Sequence, residues 1–324
     1  MSGAATTYEP LPTRLASQLD VAPPQNRWLI EMLWSTCGVG LIGGCPKSMK
    51  TWLGLEIATA VASATPCLSQ FAVGQPGPVL IFLAEDALSD VRQRLVSLCR
   101  CRGISLENLP VHVITVPTLR LDVAHHIGRL DATIAKLRPR LLLLDPLVRL
   151  HHADENNASD IAAILGRLRT LQRKYELAII LVHHTRKARG TKQHGQTLRG
   201  SGDLHAFGDS NLYLTQERRG LVLTPEHRAA PAPKPLCIEL ASGSPHLVIV
   251  DAKQDNTPSL ERRLLDVLQH TDQPVPRTQL RERLAVNNKR LGDTLVALEQ
   301  LGRIRRTPRG WIALVHKPQN GEEL

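Results

Sequence analysis

Short apolar runs alternate with amphipathic stretches over most of the first two thirds of the chain. The apolar runs are predicted strands at residues 38–44, 78–84, 111–116, 140–145 and 177–184. The stretches between them have the apolar spacing of helices, at residues 51–64, 88–103, 124–138 and 159–176. Ser159 is the candidate N-cap of the last of these helices. Because strands that alternate with helices form right-handed crossovers, the pattern predicts an α/β fold with a mostly parallel, two-sided sheet.

The pattern changes after residue 211. Residues 211–240 are predicted to form antiparallel hairpins that extend the edge of the sheet. Farther on, three helical segments precede two short strands around a Pro-Arg-Gly turn, the layout of a winged helix-turn-helix. We therefore expect five parts: an arm at 1–27, a core at 28–250, a linker at 251–258, a winged-helix domain at 259–316 and a tail at 317–324.

Composition narrows the class of protein. The 324 residues are 42% hydrophobic, which is enough for a packed core, and the formal net charge of +10 favours a polyanionic partner such as nucleic acid. None of the six cysteines forms a CxxC pair or a zinc-finger spacing. The chain shows no signal segment and no apolar stretch of about 18 residues, so we expect a cytoplasmic protein without a membrane partner.

A phosphate-binding loop is predicted directly after the first strand. The pattern G-x-x-x-x-G-K-[ST] is met from Gly44 to Thr51, except that Met49 replaces the second glycine. Such a loop binds phosphates through its backbone N–H groups, a lysine and the start of the next helix. If position 49 requires a positive φ, methionine costs roughly 1–3 kcal/mol there. The candidate nucleotide-binding residues are Gly43, Gly44, Cys45, Pro46, Lys47, Ser48, Met49, Lys50 and Thr51. The alternative is a strand-turn-helix that merely ends in Lys-Thr.

Residues at the ends of three further predicted strands suit nucleotide chemistry. Glu85 and Asp86 follow the second strand, where a carboxylate can accept a proton from an attacking water, although Asp86 also suits a helix N-cap. Asp145 closes an apolar strand, as a residue that binds Mg²⁺ through water does, although Asp-Pro also forms turns. His183 and His184 end another strand and are candidate sensors of the γ-phosphate, or simply structural.

A basic, glycine-bearing segment follows the two histidines. It spans residues 185–203, and its cations are Arg186, Lys187, Arg189, Lys192 and Arg199. The segment is either a loop that faces nucleic acid or a solvated loop.

The order and spacing of these motifs resemble the RecA-fold ATPases of the RepA-type hexameric helicase group, relatives of the DnaB-type replicative helicases. The resemblance covers roughly residues 28–250, and the motifs that carry it are "GGCPKSMKT", "LAEDALSDVRQRL", "LLLLDPL", "LVHHTRKA" and "LRGSGDLHAFGDSNLYL". It implies a RecA-like P-loop NTPase core that binds ATP and Mg²⁺. Met49 is the departure from the family pattern, and it bears on the rate of hydrolysis more than on nucleotide binding.

The resemblance also implies a role for each candidate residue. Lys50 matches the phosphate-binding lysine, Thr51 and Asp145 the Mg²⁺ site, with Asp145 acting through water, and Glu85 the general base. His184, or else His183, matches the γ-phosphate sensor. Residues 226–240 resemble a hairpin that presents an arginine to the neighbouring subunit, and Arg228 is the candidate, with Arg218 and Arg219 behind it. Such a residue implies a homo-oligomeric ring or filament, with a hexamer expected.

The C-terminal module is predicted to bind DNA. A helix from residue 288 begins with basic residues, and the following hairpin carries Arg303, Arg305, Arg306 and Arg309. The alternative is a winged helix that binds a protein partner.

Two functions are consistent with these features. The first is an oligomeric, ATP- and Mg²⁺-dependent helicase or translocase, with single-stranded DNA in the core and duplex at the winged helix. The second is a nucleotide-gated DNA-binding or adaptor ATPase of a replication or mobile-element system, without strand separation. A P-loop kinase for small molecules is disfavoured because no acceptor-substrate domain is evident.

Overall fold

The computed structural model describes residues 9, 11–19, 27–154, 157–184, 202–217, 220–241, 245–250, 260–271 and 273–314. The chain divides into two compact units, Met1–Ala252 and Lys253–Leu324. The predicted linker, most of the basic segment, Arg218, Arg219 and the C-terminal tail lie outside the described residues.

A nine-stranded sheet forms the centre of the first unit. A separate short hairpin, β1 (Trp28–Ile30) and β2 (Trp34–Ser35), precedes it. The sheet strands are β3 (Val39–Gly44), β4 (Val79–Leu83), β5 (Val111–Val113), β6 (Leu141–Asp145), β7 (Ala178–His184), β8 (Ser210–Glu217), β9 (Gly220–His227), β10 (Leu236–Leu240) and β11 (Leu247–Val250). Their order across the sheet is β11-β10-β9-β8-β3-β7-β6-β4-β5. The six strands from β8 to β5 are mutually parallel, and β9, β10 and β11 extend one edge antiparallel. The antiparallel hairpins predicted at 211–240 are present, but β8 also pairs parallel with β3, and β11 lies beyond the predicted range.

Helices cover both faces of this sheet. They are α1 (Lys50–Ser63), α2 (Leu88–Cys101), α3 (Ala124–Leu137), α4 (Ala158–Tyr175) and the short α5 (Gly202–Phe207). Apolar residues of α1 and α2 share one core with Leu141 and Leu143, whereas residues of α3 and α4 share a second core with Leu142 and Leu144. Alternate residues of β6 thus face opposite layers, which explains the unbroken apolar runs in the sequence.

The central pair β3 and β8 approaches closely. A Cβ atom on Gly40 would lie 1.7 Å from the carbonyl oxygen of Ser210 on β8. Glycine is therefore required at this position of β3, and it lets β8 pair beside the strand that leads into the phosphate loop.

Several local predictions need correction. Asn157, not Ser159, caps α4, because its side chain accepts a hydrogen bond from the Ser159 backbone N–H. Asp86 is not an N-cap, because α2 begins after Ala87 and has no side-chain cap. The strand predicted at 111–116 ends at Val113. The β1–β2 hairpin and α5 were not predicted.

The second unit contains three helices and a hairpin. The elements are α6 (Leu260–Gln269), α7 (Arg277–Leu284), α8 (Asn288–Gln300), β12 (Ile304–Thr307) and β13 (Gly310–Ala313), in the predicted order. Leucines from all three helices pack with Ile304 and Trp311 of the hairpin. Val275, just before α7, also forms an isolated antiparallel bridge with Trp311 through two backbone hydrogen bonds.

All six cysteines lie in described residues, and none of them forms a disulfide. No helix in the described part of the chain has the length and apolarity needed to cross a bilayer.

Candidate nucleotide site

The predicted phosphate loop connects β3 to α1. β3 ends at Gly44 and α1 begins at Lys50, so the first N–H groups of the helix face the loop. Lys50 is buried, with 5% of its surface exposed, and its Nζ donates a hydrogen bond to the Cys45 carbonyl oxygen at 2.7 Å. The loop therefore curls around the lysine amine, as a loop that binds phosphate does.

Met49 has the backbone conformation that favours glycine. Its φ is 63° and its ψ 20°, in the left-handed region, and Lys47 has a φ of 64°. Position 49 therefore has the positive φ at which a methionine strains the loop. Part of the Met49 side chain packs against the core on the α1 face of the sheet, which offsets some of the strain.

Thr51 and Asp145 meet at the carboxyl edge of the sheet. The Thr51 Oγ1 donates a hydrogen bond to Asp145 Oδ2 at 2.7 Å, and Asp145 pairs with Leu83 on the neighbouring strand. Burial raises the pKa of Asp145 to about 6. The charges of Asp86 and Glu85 contribute to this rise, whereas the Thr51 hydrogen bond and the Lys50 charge oppose it. Burial also lowers the pKa of Lys50, although Asp145 opposes that shift.

Glu85 and Asp86 line the same cleft, and each has an arginine partner. Glu85 Oε1 accepts from Arg149 Nε at 2.7 Å, and both side chains are largely exposed, at 48% and 62%. Asp86 pairs with Arg94 at 2.9 Å. Neither arginine was singled out from the sequence. Arg149 lies four residues after Asp145, and Arg94 lies two turns into the helix that follows Asp86.

The two histidines point to different sides of β7. They pair in register with Gly43 and Gly44 of β3, at the level where the phosphate loop starts. His184 lines the cleft, whereas His183 is buried, as expected for successive residues of a strand. Of the two candidates, His184 is the one placed beside the phosphate loop.

Arg228 lies outside the cleft. It follows β9 directly, its guanidinium is 3.4 Å from Asp209 Oδ1, and it also donates to the Ala206 carbonyl oxygen. Asp209 in turn accepts from Arg169 and from the Val39 N–H. Within one chain, therefore, Arg228 does not contribute to the cleft.

The cleft encloses about 360 Å³, a volume typical of small-molecule sites. Its donor set suits Mg²⁺ and phosphate: Thr51 and Asp145 offer oxygen ligands, and Lys47 and Lys50 offer cations. The Ser48 hydroxyl in the loop is buried and makes no hydrogen bond to any described residue, so it is available to a bound phosphate. The residues present fit a Mg²⁺-nucleotide.

A model of the AAA domain matches residues 4–190, which is more than half of the chain. The chain belongs to this AAA domain family. The core accordingly has the RecA-like fold of P-loop ATPases.

Two solved structures resemble this chain in fold. The ATPase domain of G40P is 14% identical, with a TM-score of 0.51, over 67% of this chain and 86% of that one. A DnaB-like replicative helicase is 15% identical, with a TM-score of 0.51, over 67% of this chain and 58% of that one. At these identities the likeness shows the fold alone.

Proposed function

We propose that this protein is a Mg²⁺-dependent ATPase that acts on DNA as an oligomer. The observation that carries the proposal is the contact between Thr51 of the phosphate loop and Asp145 of β6, beside the buried Lys50. In P-loop ATPases a hydroxyl and a carboxylate in this relation hold Mg²⁺ against the nucleotide phosphates. Membership of the AAA domain family supports ATP as the nucleotide.

Each residue of the cleft has a proposed task in hydrolysis. Lys50 and Lys47 bind the phosphate oxygens, together with the N–H groups at the start of α1. Thr51 directly, and Asp145 through water, would hold the Mg²⁺, which when bound would neutralise charge on the phosphates. Glu85 accepts the proton of the attacking water once it separates from Arg149. His184 reports the γ-phosphate to the basic segment that follows β7.

We further propose that the protein is a RepA-like helicase or translocase. The solved structures that share its fold include an ATPase domain and a replicative helicase, and the net charge of +10 favours a polyanionic partner. In this proposal single-stranded DNA passes the core, and Arg228 completes the site of a neighbouring subunit in a ring, with a hexamer expected. The expected compartment is the cytoplasm.

The second unit is proposed to be a winged helix that contacts duplex DNA. Its hairpin carries exposed arginines, and α8 begins with Asn287 as its cap, followed by Lys289 and Arg290. Farther along α8, exposed Val296 lies three residues after Asp293, an apolar and acidic pairing that suits a protein partner better than phosphate. A protein partner at this helix is therefore the second candidate.

An alternative function is a nucleotide-gated DNA-binding or adaptor ATPase that does not separate strands. Met49 favours it, because this residue departs from the phosphate-loop pattern at a position whose left-handed conformation favours glycine. In this case the nucleotide would set assembly on DNA rather than drive movement.

Unwinding of a forked duplex, measured together with ATP turnover, distinguishes the helicase from the adaptor ATPase. For a helicase, we expect single-stranded DNA to stimulate turnover and strands to separate only with hydrolysable ATP. The variant Glu85→Gln should bind DNA and fail in both assays. Slow turnover that DNA does not change, with ATP-dependent assembly on intact duplex, would overturn the helicase proposal and support the adaptor.

A further inference from the structure

Trp52 lies between the phosphate cleft and a second cavity. This second cavity encloses about 430 Å³ and shares two lining residues with the phosphate cleft, Trp52 and Arg94. Its other lining residues come mostly from α2 and include Gln93, Ser97 and Arg100. The two cavities therefore adjoin at Trp52, and the second has the volume of a small-molecule site.

A chain of contacts fixes the Trp52 indole. The Arg94 guanidinium lies over its ring, 5.7 Å from the centroid, and Asp86 holds that guanidinium at 2.9 Å. Trp52 is also partly buried and packs against the core beneath α1. An indole that is already ordered loses little entropy when a ligand stacks on it.

We propose that Trp52 is the residue on which the base of the bound nucleotide stacks, with the base in the second cavity. The proposal rests on the proposed ATP binding and adds where the base lies and which base is preferred. Trp52 directly follows Thr51 at the start of α1, where the phosphates bind, so it lies within reach of the ribose and base. It is the only Trp, Tyr or Phe among the described residues that line the cleft.

The chemistry of the second cavity indicates a purine. A two-ring purine overlaps the two-ring indole over a larger area than a pyrimidine does, and base–aromatic stacking contributes about 1–3 kcal/mol per base. The Gln93 side-chain amide offers both donors and an acceptor, so it can pair with the edge of adenine or guanine. The ligand class is therefore a purine nucleoside triphosphate.

Calorimetric titration of the full chain with Mg-ATP, Mg-CTP and inorganic tripolyphosphate tests this inference. For Trp52→Ala we expect ATP to bind about tenfold more weakly, from the loss of one stacked base. Tripolyphosphate, which has no base, should bind within about twofold of its original affinity, and the preference for ATP over CTP should disappear. Trp52→Phe should recover most of the ATP affinity. Arg92→Ala, on the exposed side of α2, is the matched control and should change nothing.

Indole fluorescence provides a second measurement should Trp52→Ala fold poorly. ATP, but not tripolyphosphate, should quench a component of the emission that is absent from Trp52→Phe. Equal losses of ATP and tripolyphosphate affinity, or an unchanged ATP affinity, would overturn the role of Trp52 while leaving the ATPase proposal intact. Failure of the unmutated protein to bind either ligand would overturn both.

Discussion

Thr51 donates a hydrogen bond from its Oγ1 to Asp145 Oδ2 at 2.7 Å, and this contact joins the phosphate loop to the end of β6. The two residues are 94 positions apart in the chain. The parallel sheet brings them together, because the carboxyl ends of β3 and β6 lie at the same edge. The contact places a hydroxyl and a carboxylate where Mg²⁺ would bind, and it leaves a buried carboxylate in the protein without nucleotide.

The buried carboxylate predicts an unusual dependence of stability on pH. The pKa of Asp145 is raised from 3.8 to about 6, so the folded state keeps a proton that the unfolded state releases. This group therefore makes the free energy of unfolding fall as pH rises from about 4 to about 6, by roughly 3 kcal/mol at most.

Asp145→Asn should remove this decrease in the free energy of unfolding between about pH 4 and 6, and it should stabilise the nucleotide-free protein at pH 7. Urea denaturation at a series of pH values measures the free energy of unfolding of each variant. Asp131→Asn is the control, because Lys174 lowers the pKa of Asp131 and its contribution is lost only as pH falls below 3.8. A slope between pH 4 and 6 that Asp145→Asn leaves unchanged would contradict the assignment.

Met49 predicts a difference between two small substitutions. Met49→Gly relieves the left-handed strain but loses side-chain packing, so the free energy of unfolding should change by less than about 1 kcal/mol. Met49→Ala loses the same packing and keeps the strain, so it should be about 1 kcal/mol less stable than Met49→Gly. The difference between the two variants in the free energy of unfolding, measured by thermal or chemical denaturation, isolates the cost of the left-handed backbone conformation at position 49. Equal stability of the two variants would show that the loop is not strained at this position.

The ion pair between Glu85 and Arg149 predicts two effects of very different size. If Glu85 is the general base, Glu85→Gln should lower kcat by about 10²–10⁴-fold and leave ATP affinity nearly unchanged. Arg149→Ala should raise basal kcat by no more than about fivefold, because an exposed ion pair contributes about 0–1 kcal/mol. Arg149→Lys serves as the charge-conserving control. A kcat for Glu85→Gln close to that of the unmutated protein would exclude the assigned role.

Arg228 predicts complementation between two inactive proteins. Its partner within the chain is Asp209, outside the cleft, so any catalytic contribution must come from a neighbouring subunit. In a mixture of Arg228→Ala and Lys50→Ala subunits, roughly a quarter of the interfaces would have both residues intact, so turnover should recover to about that fraction. Arg169→Ala, which also loses an Asp209 contact, is the matched structural control. A mixture no more active than its components would contradict a role in trans.

Sequence reasoning predicted the sheet well because burial on both faces leaves a clear signal. The apolar runs located five parallel strands, and the change of pattern after residue 211 located the antiparallel edge. Lys50, Thr51 and Asp145 could be selected as candidates because residues of these types stand at fixed positions relative to strand ends and helix starts, and the structure places all three in one cleft. Arg149 and Arg94 were not selected, because only the folded chain brings them to Glu85 and Asp86. Trp52 was not selected, because only the fold shows that it lines the second cavity. Spacing along a chain does not encode such contacts.

Steady-state hydrolysis of Mg-ATP by the unmutated protein and by Lys50→Ala tests the central claim, that the loop works as a phosphate site despite Met49. Lys47→Ala is the matched control, because Lys47 lies in the same loop but is exposed, whereas Lys50 is buried. We expect measurable turnover that Lys50→Ala reduces by at least about a hundredfold and Lys47→Ala by less than about tenfold. Turnover that survives in Lys50→Ala, or its absence from the unmutated protein, would contradict the claim.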